Sequence, residues 1–123
     1  MKEISSENAP AAQGPYSQGI AAGDFLYISG QLPINPFNGE MEKEIKAAAR
    51  QTLKNIIAVA DEAGAKIVRT TVYMKNISDF SLVNEVYCEF FTDTKPSRVC
   101  VGVSELPKGA DLEIEAVAYI EKQ

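Results

Sequence analysis

Residues 96–120, PSRVCVGVSELPKGADLEIEAVAYI, set one arginine and two glutamates into regular alternation. Val99, Val101 and Val103 fall on one side of a strand and Arg98, Cys100 and Gly102 on the other, because successive strand side chains point to opposite faces. Leu112, Ile114, Ala116, Ala118 and Ile120 repeat the pattern, leaving Glu113, Glu115, Val117 and Tyr119 opposite them. A hairpin around Ser104 to Pro107 that pairs Val103 with Lys108 also pairs Arg98 with Glu113. This register predicts a guanidinium beside a carboxylate. A planar guanidinium suits bidentate capture of a small carboxylate, and a neighbouring glutamate can accept a proton or orient a water. A structural ion pair of Arg98 with Glu113 or Glu115 is the ordinary alternative. Alternation does not choose between the glutamates, which share a face about 7 Å apart.

The remaining candidates are weaker. Cys100 shares the face of Arg98, but the chain has no histidine to activate a thiol, so a wall-lining role is expected. Ser29-Gly30 ends a strand with a residue that admits close backbone approach, which fits a ligand-facing edge or an ordinary bulge. Tyr16 offers a hydroxyl on the rigid turn after Gly14-Pro15, and Asn84 an amide from a helix face. Cys88 and Cys100 lack metal-ligand spacing and are expected to be free thiols, Cys88 serving packing. The absence of histidine removes the commonest general base and most zinc and haem sites, and no P-loop or GxGxxG motif occurs. Neither a metal nor a nucleotide cofactor is expected.

These residues need a scaffold, and 123 residues suffice for one domain with a core that requires no disulfide or metal. A net charge of -5 without a basic run argues against nucleic acid as a partner, since phosphate backbones are bound largely through Lys and Arg. No stretch approaches the roughly 20 apolar residues of a membrane span, and residues 1–19 lack the apolar centre of a signal peptide. A cytoplasmic protein is expected.

Lys2 to Ser6 reads as a short strand, followed by an extended segment through Pro10 and Pro15. Ser17–Ala22 and Phe25–Ser29 flank Gly23-Asp24, a two-residue hairpin signal, and QLPINPFNGEM reads as a structured loop. From about Glu42 to Ala63, Ile45, Ala49, Leu53, Ile56, Ala60 and Ala63 recur at helical spacing, with Gly64 as a stop. Ile67–Lys75 predicts a strand with Val68, Val72 and Met74 on one face and Ile67, Thr71 and Tyr73 on the other. Ser78 or Asp79 caps a second helix carrying Phe80, Val83, Tyr87 and Phe91. The order βββαβαββ predicts an α+β fold: a mixed sheet with two helices on one face. Several of its strands are apolar or small on both faces, so the face the helices leave uncovered is expected to meet another subunit.

ENAPAAQGPYSQG, LYISGQLPINPFNGE, ARQTLKNI, TTVYMKNISDFSLVNEVYCEFF and PSRVCVGVSELPKGADLEIEAVA together resemble the Rid family, also called YjgF-like or endoribonuclease L-PSP proteins, and its RidA branch in particular. The resemblance covers residues 1–123 as one unit. It implies a chorismate-mutase-like fold, a homotrimer with clefts between subunits, and cofactor-free hydrolysis of 2-imino acids, such as 2-iminobutanoate and 2-iminopropanoate, to 2-oxo acids and ammonia. By position it implies that Arg98 binds the substrate carboxylate, that Glu113 orients the water, and that Tyr16, Ser29, Gly30, Asn84 and Cys100 line the cleft. Ser97, Val99 and Gly102 depart from the residues frequent in the family. A non-catalytic carboxylate-binding trimer and an RNase or translation inhibitor are the alternatives.

Overall fold

In the computed structural model, which describes residues 1–121, six strands form one sheet carrying two helices. The strands are β1 (Lys2–Ile4), β2 (Gly19–Ala22), β3 (Phe25–Gln31), β4 (Ala65–Met74), β5 (Ser97–Gly102) and β6 (Leu112–Ile120); the helices are α1 (Ile45–Glu62) and α2 (Phe80–Phe90). The expected βββαβαββ order is observed. β2 and β3 pair Ala22 with Phe25 around Gly23, whose φ of 62° is a conformation glycine adopts without a steric penalty.

The strand order, β1-β2-β3-β6-β4-β5, overturns the closing hairpin. β6 inserts between β3 and β4, antiparallel to both, while β5 lies parallel to β4 at the far edge. Leu112, Ile114 and Ala118 of β6 are fully buried, so the strand richest in core side chains takes a central place with helix α1 above it. Residues 103–111 are no tight turn. They carry the chain past β4 through a 3₁₀ turn at Pro107–Gly109, in which Lys108 (φ 58°) and Gly109 (φ 70°) reverse its direction.

Both helices cover one face, where Ala49, Leu53, Ile56, Val59, Val83 and Val86 meet Val72, Met74 and Ile114. Glu44 caps α1 by accepting a hydrogen bond from the Ala47 N–H, and Gly64 follows its end with φ 64°. At α2 the expected side-chain cap is absent; Asp79 occupies the position without bonding, and Asn76 instead accepts from Ser78 N–H in the preceding 3₁₀ turn. In β4 a register shift between Ile67 and Arg69 exposes Val68 and turns Ile67 toward the core, reversing the face expected for both. Cys88 is exposed rather than packed.

Among the described residues the opposite sheet face carries no helix. Tyr27 (51% exposed), Val99 (40%) and Val101 (38%) lie there beside Glu113, Glu115 and Tyr73. Among the described residues no helix is long and apolar enough to cross a membrane.

Candidate functional site

Register puts Arg98 and Glu113 on different faces of the sheet. Arg98 pairs with Thr70, which pairs with buried Ala116, so its row faces the helices. Glu113 pairs with Tyr73, which pairs with Val101, so its row faces away from them. In one chain the two side chains therefore cannot meet, and the ion pair of Arg98 with Glu113 or Glu115 does not form.

Arg98 instead sits in a neutral pocket built by α2. Its Nη1 donates to Asn84 Oδ1 at 2.7 Å, and its guanidinium carbon lies 5.1 Å from the Phe80 ring centre and 4.8 Å from that of Tyr87. Tyr87 is fixed in turn by a 2.7 Å hydrogen bond between its hydroxyl and Thr70 Oγ1, and burial pushes its phenol pKa up. An amide and two aromatic faces orient a guanidinium without neutralising it, so the charge stays available for an anion. Cys100 lies two residues along on the same face, its Sγ 3.5 Å from Met74 Sδ. Burial raises its thiol pKa more than the Arg98 charge lowers it, which fits a wall and not a nucleophile.

Glu113 belongs to a cleft of about 1000 Å³ whose lining includes Tyr16, Ser29, Gly30, Glu113 and Glu115, but not Arg98, Asn84 or Cys100. The Ser29-Gly30 step is a bulge: β3 pairs Ile28 with Ala116 and then Gln31 with Ile114, so two residues oppose Glu115 alone. The bulge, one of the two expectations there, is present, and it lies on the lining of the cleft. Gly30 is required by close approach, since a Cβ at this position would stand 2.6 Å from Glu113 Oε2. Ser29 Oγ donates to Ser17 O at 2.6 Å and its N–H to Gln18 O at 2.9 Å, so its hydroxyl secures the rim. Tyr16, exposed at the mouth, accepts through its hydroxyl from Gln13 N–H at 3.3 Å. Burial and then the Glu115 charge push the Glu113 pKa above the usual carboxylate value.

Three contributors escaped sequence reasoning. Gln18 is buried and ties the first segment to the cleft, accepting from Ser6 N–H at 2.7 Å and donating to Pro10 O at 2.8 Å. Asn55, buried on α1, donates to Leu32 O and Ile34 O and so fixes the loop on the other rim. Tyr73 donates to Glu115 Oε2 at 2.5 Å. A polar residue within the apolar stripe of α1 was the legible signal for Asn55; nothing local distinguishes Gln18. Among the described residues no group of three or more metal-ligating side chains converges.

The family model for endoribonuclease L-PSP matches residues 6–120. A RutC family protein of Pyrococcus horikoshii is 52% identical over 126 residues, covering 98% of this chain and 100% of its own. The 2-iminobutanoate/2-iminopropanoate deaminase of Escherichia coli K12 is 49% identical over 123 residues, covering 95% and 96%. Among solved structures, Escherichia coli TdcF with bound serine superposes with a TM-score of 0.94 at 40% identity, covering 98% of this chain and 100% of that one.

Proposed function

The chain belongs to the endoribonuclease L-PSP family, and from that premise we propose that it hydrolyses reactive 2-imino acids, the products of pyridoxal-phosphate dehydratases, to 2-oxo acids and ammonia. The observation that carries the reading is a cation held by neutral partners and a carboxylate of raised pKa on one small sheet. An imine is already electrophilic, so an anion clamp and a placed base suffice. In the proposed reaction Arg98 holds the substrate carboxylate and Glu113 receives a proton from water as its oxygen bonds to C2. The imine nitrogen takes that proton, giving a carbinolamine. Transfer of the hydroxyl proton through Glu113 to nitrogen then accompanies C–N cleavage, releasing ammonia and leaving the 2-oxo acid and an ionised Glu113.

Because Arg98 and Glu113 occupy opposite faces of one chain, the complete site is proposed to form between copies of a homotrimer, each supplying one half. The bare face with Tyr27, Val99 and Val101 and the unpaired edge of β5 support such an assembly. Tyr16, Ser29 and Gly30 then line the half with Glu113, and Asn84 and Cys100 the half with Arg98. A small molecule carrying a carboxylate, like the serine bound by TdcF, is the proposed ligand. The cytosol is the proposed compartment. The family's name also carries a ribonuclease reading, but a net charge of -5 and the absence of histidine disfavour it.

The direct test adds the protein to a pyridoxal-phosphate dehydratase acting on threonine or serine and follows keto-acid release; acceleration is expected, and tight carboxylate binding without acceleration would favour a regulatory trimer. Gly30→Ala supplies a second test. The new methyl displaces the Glu113 carboxylate, a flexible group, so the fold survives while kcat falls roughly 10- to 100-fold. An unaltered kcat would remove Glu113 placement from the mechanism.

A further inference from the structure

Tyr73 stands directly opposite Glu113 across β4 and β6, yet its hydroxyl reaches diagonally to Glu115, whose own opposite number is Thr71. Both carboxylates line the same cleft. Glu113 is hemmed in by Gly30 on the β3 side, where there is no room for a Cβ, and by Tyr73 on the β4 side. Glu115, more exposed, would be free to swing into solvent but for the 2.5 Å hydrogen bond from Tyr73. We propose that Tyr73 and Glu115 form a positioning pair that fixes a second negative charge beside Glu113 and thereby sets the pH range over which Glu113 exchanges protons with water and the departing nitrogen. The proposal rests on the imine-hydrolysis reading for its chemistry, although the pair itself is defined by geometry alone.

Within one chain the charged and titratable surroundings of Glu113 leave Glu115 as its principal electrostatic neighbour, and in the proposed trimer the Arg98 guanidinium of a second copy faces it across the site, an opposite charge that acts against Glu115. From its own strand comes Glu115; from β4, Tyr73, with Arg69 in a farther row opposite Val117; from β3, Tyr27, also opposite Val117. The segment before β2 contributes Tyr16, and the turn before β6 contributes Lys108 at the rim. Among the described residues neither Glu113 nor Glu115 takes part in an ion pair. A like charge held nearby favours the protonated form of a carboxylic acid, and burial acts in the same direction. A base that retains its proton more readily than a free carboxylate serves both halves of the reaction, since it must accept from water and then donate to the leaving group.

The test compares Glu115→Gln and Tyr73→Phe with the unaltered protein by two measurements: titration of the Glu113 side-chain carboxyl by carbon NMR without substrate, and the pH profile of kcat/KM. With Glu115→Gln, loss of the negative charge should move the Glu113 midpoint to lower pH, and the acidic limb of the profile should move with it. Tyr73→Phe should shift both in the same direction by a smaller amount, because Glu115 remains charged but is no longer held. A Glu113 titration in Glu115→Gln that overlays the original would overturn the proposal, as would a shift to higher pH in Tyr73→Phe. Should the protein prove inactive on imines, the NMR titration still decides the pair, so the two readings fail separately.

Discussion

Replacing Arg98 with alanine is expected to lower kcat/KM for imine hydrolysis by roughly 100- to 1,000-fold, the factor corresponding to about 3–4 kcal/mol of lost interaction with a carboxylate. The size of the effect follows from the surroundings of the guanidinium. Asn84 and the rings of Phe80 and Tyr87 hold it in place, and among the described residues of its own chain no carboxylate pairs with it. Within its own chain the charge therefore has no competing partner to lose before substrate binds. Arg98→Lys should recover only part of the loss, because an ammonium offers neither the bidentate fork nor the flat stacking surface between the rings. Circular dichroism and gel filtration should be unchanged, since Arg98 is half-buried at an edge strand and Val72, Met74 and Ile114 form the core beneath it. A kcat/KM within about twofold of the original in Arg98→Ala would exclude the carboxylate clamp, a change too small for any lost ion pair of this kind.

Mixing two inactive variants should restore activity. In the proposed trimer Arg98→Ala and Glu113→Gln would each remove one half of every site, but a ring assembled from both would contain interfaces at which an intact Arg98 faces an intact Glu113. With random one-to-one assembly roughly a quarter of the interfaces are of this kind, so about a quarter of the original activity should return after the variants are refolded together. Each variant refolded alone should stay inactive. Absence of recovery, in a mixture shown by tagged subunits to contain mixed assemblies, would place both residues in a site made by one chain. The sheet register makes that outcome difficult to reconcile with β4 standing between β5 and β6.

Much of the local structure was legible because it depends on neighbours in the chain. The spacing of Ala49, Leu53, Ile56 and Ala60 defines the buried stripe of α1, and Gly23-Asp24 defines the β2–β3 turn. The alternation in residues 97–102 and 112–120 gave the correct faces within each strand: Leu112, Ile114 and Ala118 are buried, and Arg98 lies opposite to Val99 and Val101. For the closing hairpin the expectation failed on a relation between strands. Two alternating segments joined by nine residues are compatible with a hairpin or with separation by an inserted strand, and pairing energies in the two arrangements are similar at the level of local pattern. At the centre β6 has both backbone edges paired, to β3 and β4, and its apolar face lies under α1, an arrangement that no window of sequence contains.

The same distinction runs through the candidate site. Sequence by itself determined its chemical inventory: Arg98 as the cation, Glu113 and Glu115 as carboxylates, Cys100 as a thiol with no histidine beside it, and Gly30 where backbone comes close. It also determined, through the parity of residues 97–102 and 112–120, which residues of those strands share a face, whereas the register shift in β4 reversed the faces expected for Ile67 and Val68. Tertiary structure decided that Arg98 and Glu113 face opposite ways, that Phe80, Asn84 and Tyr87 hold one while Gly30 and Tyr73 confine the other, and that Tyr73 binds Glu115. The physical reason is that strand parity is a property of consecutive residues, whereas the contact made by a long side chain depends on which strand lies alongside. That choice is made by burial of the whole sheet. The closing segment with which the sequence pairs Arg98 and Glu113 thus contains both groups, but in one chain the fold keeps them apart.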